Sequence, residues 1–223
     1  MVKGISPEQL IATYPRVYHM AEAGSWPSIA KYGLLSTSAL LDLFEVKGDR
    51  RHSIESEHRP ESVPITHSRH GAAVIRDQKP LRERTLAGCL DGCTTTQWFE
   101  FLNAHVFFWA TERRVRTLLT ARAYRGREHL VLTIDTRRLV DQYGNSIVLS
   151  PINSGSTIYR PVRRGISTFQ PLVSYPYEQR RRLRGTQNAI AELAISRAVP
   201  NIRDLTISVE RRQGERLIQV FVA

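Results

Sequence analysis

The sequence predicts a single α+β domain with an antiparallel or mixed sheet. Three observations carry that reading. Helical patterns crowd the first part of the chain, strand-like runs crowd the rest, and no regular βαβ alternation joins them. A length of 223 residues suffices for one sizeable core, or at most two small ones. No period of 20–50 residues recurs, which sets solenoids and propellers aside.

Taken in order, residues 7–14 read as a short helix and 17–21 (VYHMA) as a strand. Residues 26–32 form a helix with Ser25 as N-cap, Pro27 in the first turn and Gly33 at the C-terminal end. A further helix covers 38–44. Residues 46–70 are polar, charged and hold two prolines, so a long loop or insertion at about 45–70 is expected. Residues 94–103 have an apolar helical face behind three threonines. The continuous apolar run 105–110 (HVFFWA) suits a buried central strand. Residues 111–122 make an amphipathic helix with Val115, Leu118 and Leu119 inward. Residues 130–134 read as a buried strand, 136–143 as a helix ended by Gly144, and 147–149 as a brief strand. An arginine-rich connector spans 160–184. Residues 189–195 (AIAELAI) fit either helix or strand, and 204–209 with 216–222 form a terminal hairpin turning at RRQG.

Charge narrows the partner class. The chain holds 32 Lys and Arg against 21 Asp and Glu, a net charge of +11, and its pI is about 10.2. Polyanions are therefore the expected partners, with nucleic acid ahead of phosphorylated cofactors and anionic membranes. No apolar stretch approaches the roughly 20 residues of a membrane span. The first twenty residues lack a secretory h-region, and two cysteines make no disulfide scaffold, so a reducing, cytoplasmic setting is expected.

Four patterns compete for the chemistry. His52, His58, His67 and His70 lie near Cys89 and Cys93, but only His67 and His70 are tightly spaced, so no metal site is expected. Both GxxxxGK[ST] and GxGxxG are missing, although the loop Asn153-Ser154-Gly155-Ser156 is suited to offering N–H groups to an anion. The third pattern is Arg160, Arg163, Arg164, Arg180, Arg181, Arg182 and Arg184, interleaved with Tyr159, Phe169, Tyr175 and Tyr177. Guanidiniums for phosphates and flat rings for bases are what a single strand needs. The fourth is Glu192, a lone carboxylate in an apolar run, which is either one polar residue on a wet face or a group placed in a pocket.

Residues 18–36 (YHMAEAGSWPSIAKYGLLS) and 189–209 (AIAELAISRAVPNIRDLTISV) resemble the first and last motifs of DarT-type ADP-ribosyltransferases. IRDQKPL, HVFFWA and HLVLTIDTRRL fall between them in the expected order. The polar stretch at 46–70, IRDQ and SPINSG depart from the pattern, as a sister family with another target would. The resemblance implies a split, mostly antiparallel sheet and NAD as the ADP-ribose donor. It implies catalytic roles for Glu192 and Arg76, with Arg69 and Arg82 as less favoured arginines. It places His19 on the cofactor's ribose and offers Tyr32, Phe107 and Trp109 as a nicotinamide stack, although plain core roles compete for these rings. The acceptor it implies, taken with the charge, is nucleic acid, single-stranded DNA first, and an antitoxin or immunity protein is the further partner. Two other readings stand beside it. An NAD-using RNA 2′-phosphotransferase would draw on His19, His105 and Arg76, and a non-catalytic nucleic-acid-binding module would need only the arginines.

Overall fold

The structure, a computed structural model, describes residues 4–158 and 161–221. Its centre is an eight-stranded sheet built from β1 (Arg16–Glu22), β5 (His105–Trp109), β6 (Glu128–Asp135), β7 (Ile147–Ser150), β8 (Gln170–Pro171), β9 (Glu192–Ser196), β11 (Thr206–Gln213) and β12 (Arg216–Phe221). The spatial order is β12-β11-β6-β1-β5-β9-β7-β8, and every pairing within it is antiparallel. Two small ribbons flank it: β2 (Leu34–Leu35) with β10 (Ala198–Val199), and β3 (Val63–His67) with β4 (Gly71–Ile75). The helices are α1 (Pro7–Thr13), α2 (Trp26–Tyr32), α3 (Thr37–Leu43), α4 (Gly48–Glu55), α5 (Glu83–Cys89), α6 (Thr95–Asn103), α7 (Glu112–Thr120), α8 (Thr136–Tyr143), α9 (Tyr177–Arg184), α10 (Thr186–Ala189) and α11 (Ile202–Leu205). The expected α+β class, with a mostly antiparallel sheet and short helices, is what forms.

The sheet divides at its middle. Strands β1 and β6 pair all the way from Arg16↔Asp135 to Glu22↔His129. Strands β1 and β5 meet at Tyr18↔Trp109 alone and then diverge. One face is sealed by the main core, where Val17, Phe108, Leu132, Leu149 and Leu193 pack beneath Leu10 of α1 and Leu139 of α8. On the other face Leu86, Trp98 and Phe99 form one cluster, and Met20, Val115 and Leu119 another.

Capping chemistry sets several helix starts. Ser6 Oγ accepts from Gln9 N–H at 3.1 Å, and Thr94 with Gln97 closes a capping box on α6. Gly33 ends α2 at φ +86°, and a Cβ there would stand 2.5 Å from the Pro200 backbone. Only glycine lets β2 lie against β10 at that point.

The sequence misleads in four places. Residues 46–70 are no long loop: they hold α4 and most of the β3–β4 hairpin. Within α4 only Ile54 is buried, so its period is invisible locally. Its apolar partners Leu41, Phe44, Ile65 and Ile75 come from other elements and make a small core of their own. Ser25 holds the N-cap position of α2, as expected, but gives it no side-chain hydrogen bond; its hydroxyl donates to Glu22 O at 2.7 Å. The terminal hairpin turns at Gly214, because Arg211, Arg212 and Gln213 continue β11. The arginine-rich connector contains helix α9. Of the two readings left open for AIAELAI, the strand is the one that forms, beginning at Glu192.

Candidate active site

Where β1 leaves β5, backbone groups that would have paired lose their partners. Continuing the register past Tyr18↔Trp109 would bring Met20 opposite Phe107. Two side chains replace the missing ladder. His19 Nδ1 lies 2.8 Å from Phe107 O, and Arg76 Nη1 donates to Met20 O at 3.0 Å. Buried backbone carbonyls need such partners, so His19 and Arg76 satisfy both lips of the split. A proton must sit on His19 Nδ1 to meet a carbonyl, which leaves Nε2 as the acceptor. Burial holds the His19 pKa down at about 4, so the ring is neutral near pH 7.

The split opens into a cavity of about 400 Å³, lined by His19, Tyr32, Arg76, Phe107, Trp109 and Glu192 among others. Residues 173 positions apart thus share one space. Trp109 and Glu192 are direct cross-strand partners, so their side chains rise from the same sheet face. Glu192 is only 3% exposed. Its Oε2 accepts from Ser154 N–H at 3.1 Å, so the anion met by the SPINSG loop is the chain's own carboxylate. Burial raises the Glu192 pKa to about 7, against the opposing pull of Ser154, Arg114 and Arg164.

Arg69 and Arg82 lie elsewhere. Arg69 sits in the exposed hairpin turn, 3.2 Å from Glu45, and Arg82 precedes α5, where its N–H donates to Thr157 Oγ1 at 2.8 Å. Of the three candidate arginines, Arg76 is the one that lines the cavity. Tyr32 reaches it too, with its hydroxyl 3.1 Å from His70 Nδ1. Phe107 lines the cavity while also packing edge-on against Phe169, 5.8 Å away.

One end of the cavity gathers polar residues that the motifs alone did not single out. Tyr124 donates to Asp77 Oδ1 at 2.7 Å, and Arg127 bridges Asp77 and Glu22 at 3.5 and 2.9 Å. Glu22 Oε2 is buried with no hydrogen-bond partner among the described residues. Arg59, 6% exposed, is spent on carbonyls of Ile54 and Arg76 and on Asn103. Asp77 adjoins Arg76 within IRDQ, and Glu22 lies within the first motif, whereas Arg59, Tyr124 and Arg127 lacked any signal.

The expected strand-binding cluster does not assemble as one surface. Tyr175 and Tyr177 are each 1% exposed, in the core, and Tyr175 donates its hydroxyl to Ala189 O. Neither ring can stack on a base. Arg164, 3% exposed, is bound to backbone carbonyls. Arg163, Arg181 and Arg182 are exposed, Arg181 being paired with Glu178 at 2.7 Å, and Arg180 is half-buried. Tyr159 and Arg160 lie outside the described residues. The histidines are spent locally: His67 and His70 stack at 4.7 Å, and His58 meets Gln78 O at 3.2 Å. No described helix is long and apolar enough to cross a membrane.

No curated protein matches the sequence. Residues 15–206 match a family of unknown function, DUF7002, and the matched span runs from the first residues of β1 to the start of β11, taking in every cavity residue named above. The chain belongs to that family.

Proposed function

We propose that the protein is an NAD-dependent ADP-ribosyltransferase whose acceptor is nucleic acid, single-stranded DNA first. The observation that carries this reading is the meeting of His19 and Glu192, from opposite halves of the split sheet, in one cavity. The cavity suits the donor on three counts. Its volume of about 400 Å³ falls in the range of ligand pockets. Arg76 supplies a cation for a pyrophosphate, and Glu22 Oε2, 4.0 Å from Arg76 Nε but without a hydrogen bond among the described residues, is a buried acceptor open to a donor such as a hydroxyl or amino group.

NAD supplies the ADP-ribosyl group through cleavage of its nicotinamide–ribose bond. Glu192, when ionised, places a negative charge in a dry pocket, where it stabilises the positive charge that develops on the ribose carbon. The Ser154 N–H fixes that carboxylate in place. Neutral His19 offers Nε2 to a ribose hydroxyl. The acceptor assignment rests on the charge of +11 and on exposed arginines such as Arg182; a base must be single-stranded or flipped to reach such a pocket.

A phosphotransferase reading has one observation in its favour: His19, His105 and Arg76 all line the same cavity. Nicotinamide release on incubation with NAD tests both enzyme readings against a mere binding module. Glu192→Gln then separates the two enzymes, because phosphotransfer does not need that carboxylate.

A further inference from the structure

A second cavity of about 200 Å³ lies on the far side of the loop that holds Glu192. Asn153, Ser154 and Gly155 face the large cavity, whereas Pro151 and Ile152 line the small one. Arg163, Arg164, Arg180 and Arg184 converge on it, with Asp91 as the sole carboxylate among its described lining residues. That carboxylate sits 3.3 Å from Arg163, whose side chain is 79% exposed at the rim.

Four guanidiniums around so small a space repel one another unless anions offset them. Two are partly neutralised by carbonyl dipoles. Arg164 Nη1 donates to the carbonyls of Asn153, Ser154 and Ser156 at 3.3, 3.1 and 2.8 Å. Arg184 Nη1 donates to Pro151 O at 2.7 Å. Arg180 is different: its Nε is buried and has no hydrogen-bond partner among the described residues. A buried cationic donor left unpaired carries a desolvation cost that an anion would remove. Thr168 and Ser167 add hydroxyls to the wall. The space is below the roughly 300 Å³ of pockets for larger ligands.

We propose that this pocket binds a phosphate group, with Arg180 and Arg163 as its principal donors. The group can come from a free phosphate or from the phosphodiester backbone of a bound strand. The proposal needs no NAD chemistry and stands if the transferase reading fails. The test uses the full chain at fixed ionic strength, with inorganic pyrophosphate by calorimetry and a labelled oligothymidylate by fluorescence anisotropy. Arg180→Gln and Arg163→Gln are compared with Arg122→Gln, an exposed arginine that does not line the pocket. Losing one charge-assisted contact should weaken binding at least about tenfold, with Arg122→Gln close to wild type. Loss for both probes assigns the site to a strand's backbone, and loss for pyrophosphate alone assigns it to free phosphate. If Arg180→Gln does not fold, Arg163→Gln carries the comparison, since its side chain lies at the rim. Unchanged affinity for both probes, or a loss matched by Arg122→Gln, would overturn the proposal.

Discussion

The split between β1 and β5 and the arginine-rich stretch that includes α9 both concentrate polar side chains, yet they use them in opposite ways. At the split, His19 and Arg76 complete a broken ladder and so are held at the mouth of a cavity. In the arginine-rich stretch the described aromatic residues Phe169, Tyr175 and Tyr177 turn inward as anchors, so none of these rings stands beside the exposed arginines as a stacking partner for a base. The lesson is geometric. A residue's place on a strand fixes which face it shares with its neighbours, whereas alternating arginines and tyrosines in a connector say nothing about which of them points inward.

The comparison breaks most visibly at Tyr175. If its ring is a core anchor, Tyr175→Ala should cost about 3–5 kcal/mol, the scale for truncating a buried aromatic. Chemical denaturation measures this, and a variant of wild-type stability with weakened DNA binding would restore the stacking role.

Glu192 should show the reverse sign. Its pKa is raised in the fold, so the folded state prefers the protonated carboxyl. Below the ordinary carboxylate range both states are protonated and no penalty exists. Stability is lost as pH rises from there to about 7, and above that the whole penalty applies. Glu192→Gln removes it. The variant should be more stable than wild type by roughly 3 kcal/mol at pH 8 and nearly equal to it at pH 4. Equal melting temperatures at both pH values would mean that the carboxylate is not strained by burial.

His19→Ala sharpens the account of the split. It leaves the Phe107 carbonyl without its partner, so a loss of about 1–3 kcal/mol is expected. His19→Asn, which retains a donor, should recover part of it; no recovery would place the cost in packing instead. The smallest effect belongs to Arg182. Arg182→Ala should change stability by no more than about 0.5 kcal/mol. If Arg182 meets one phosphate, it should flatten the salt dependence of single-strand binding by roughly 0.7 in log–log slope. An unchanged slope removes α9 from the strand's path.

Much of this architecture was legible in the sequence because apolar runs were long and continuous. HVFFWA and LVLTI suited buried strands, and the helix over 136–143 was legible up to its end at Gly144. Helix α4 was hidden because its single buried residue finds its partners on α3, β3 and β4. The site divides along the same line. Glu192, His19 and Arg76 were visible through motifs, and Ser154 through its loop. Arg59 was not, because its burial depends on carbonyls at Ile54 and Arg76 that no local pattern brings together.

If the cavity at the split transfers ADP-ribose as proposed, Glu192 drives the transfer. Mass spectrometry of single-stranded DNA incubated with NAD and either wild-type protein or Glu192→Gln tests it most directly. The account predicts an ADP-ribose adduct with wild type, its rate rising with pH through about 7 as Glu192 ionises, and a fall of at least about 100-fold in the variant. Unmodified DNA with no nicotinamide released, or a variant as active as wild type, would contradict it.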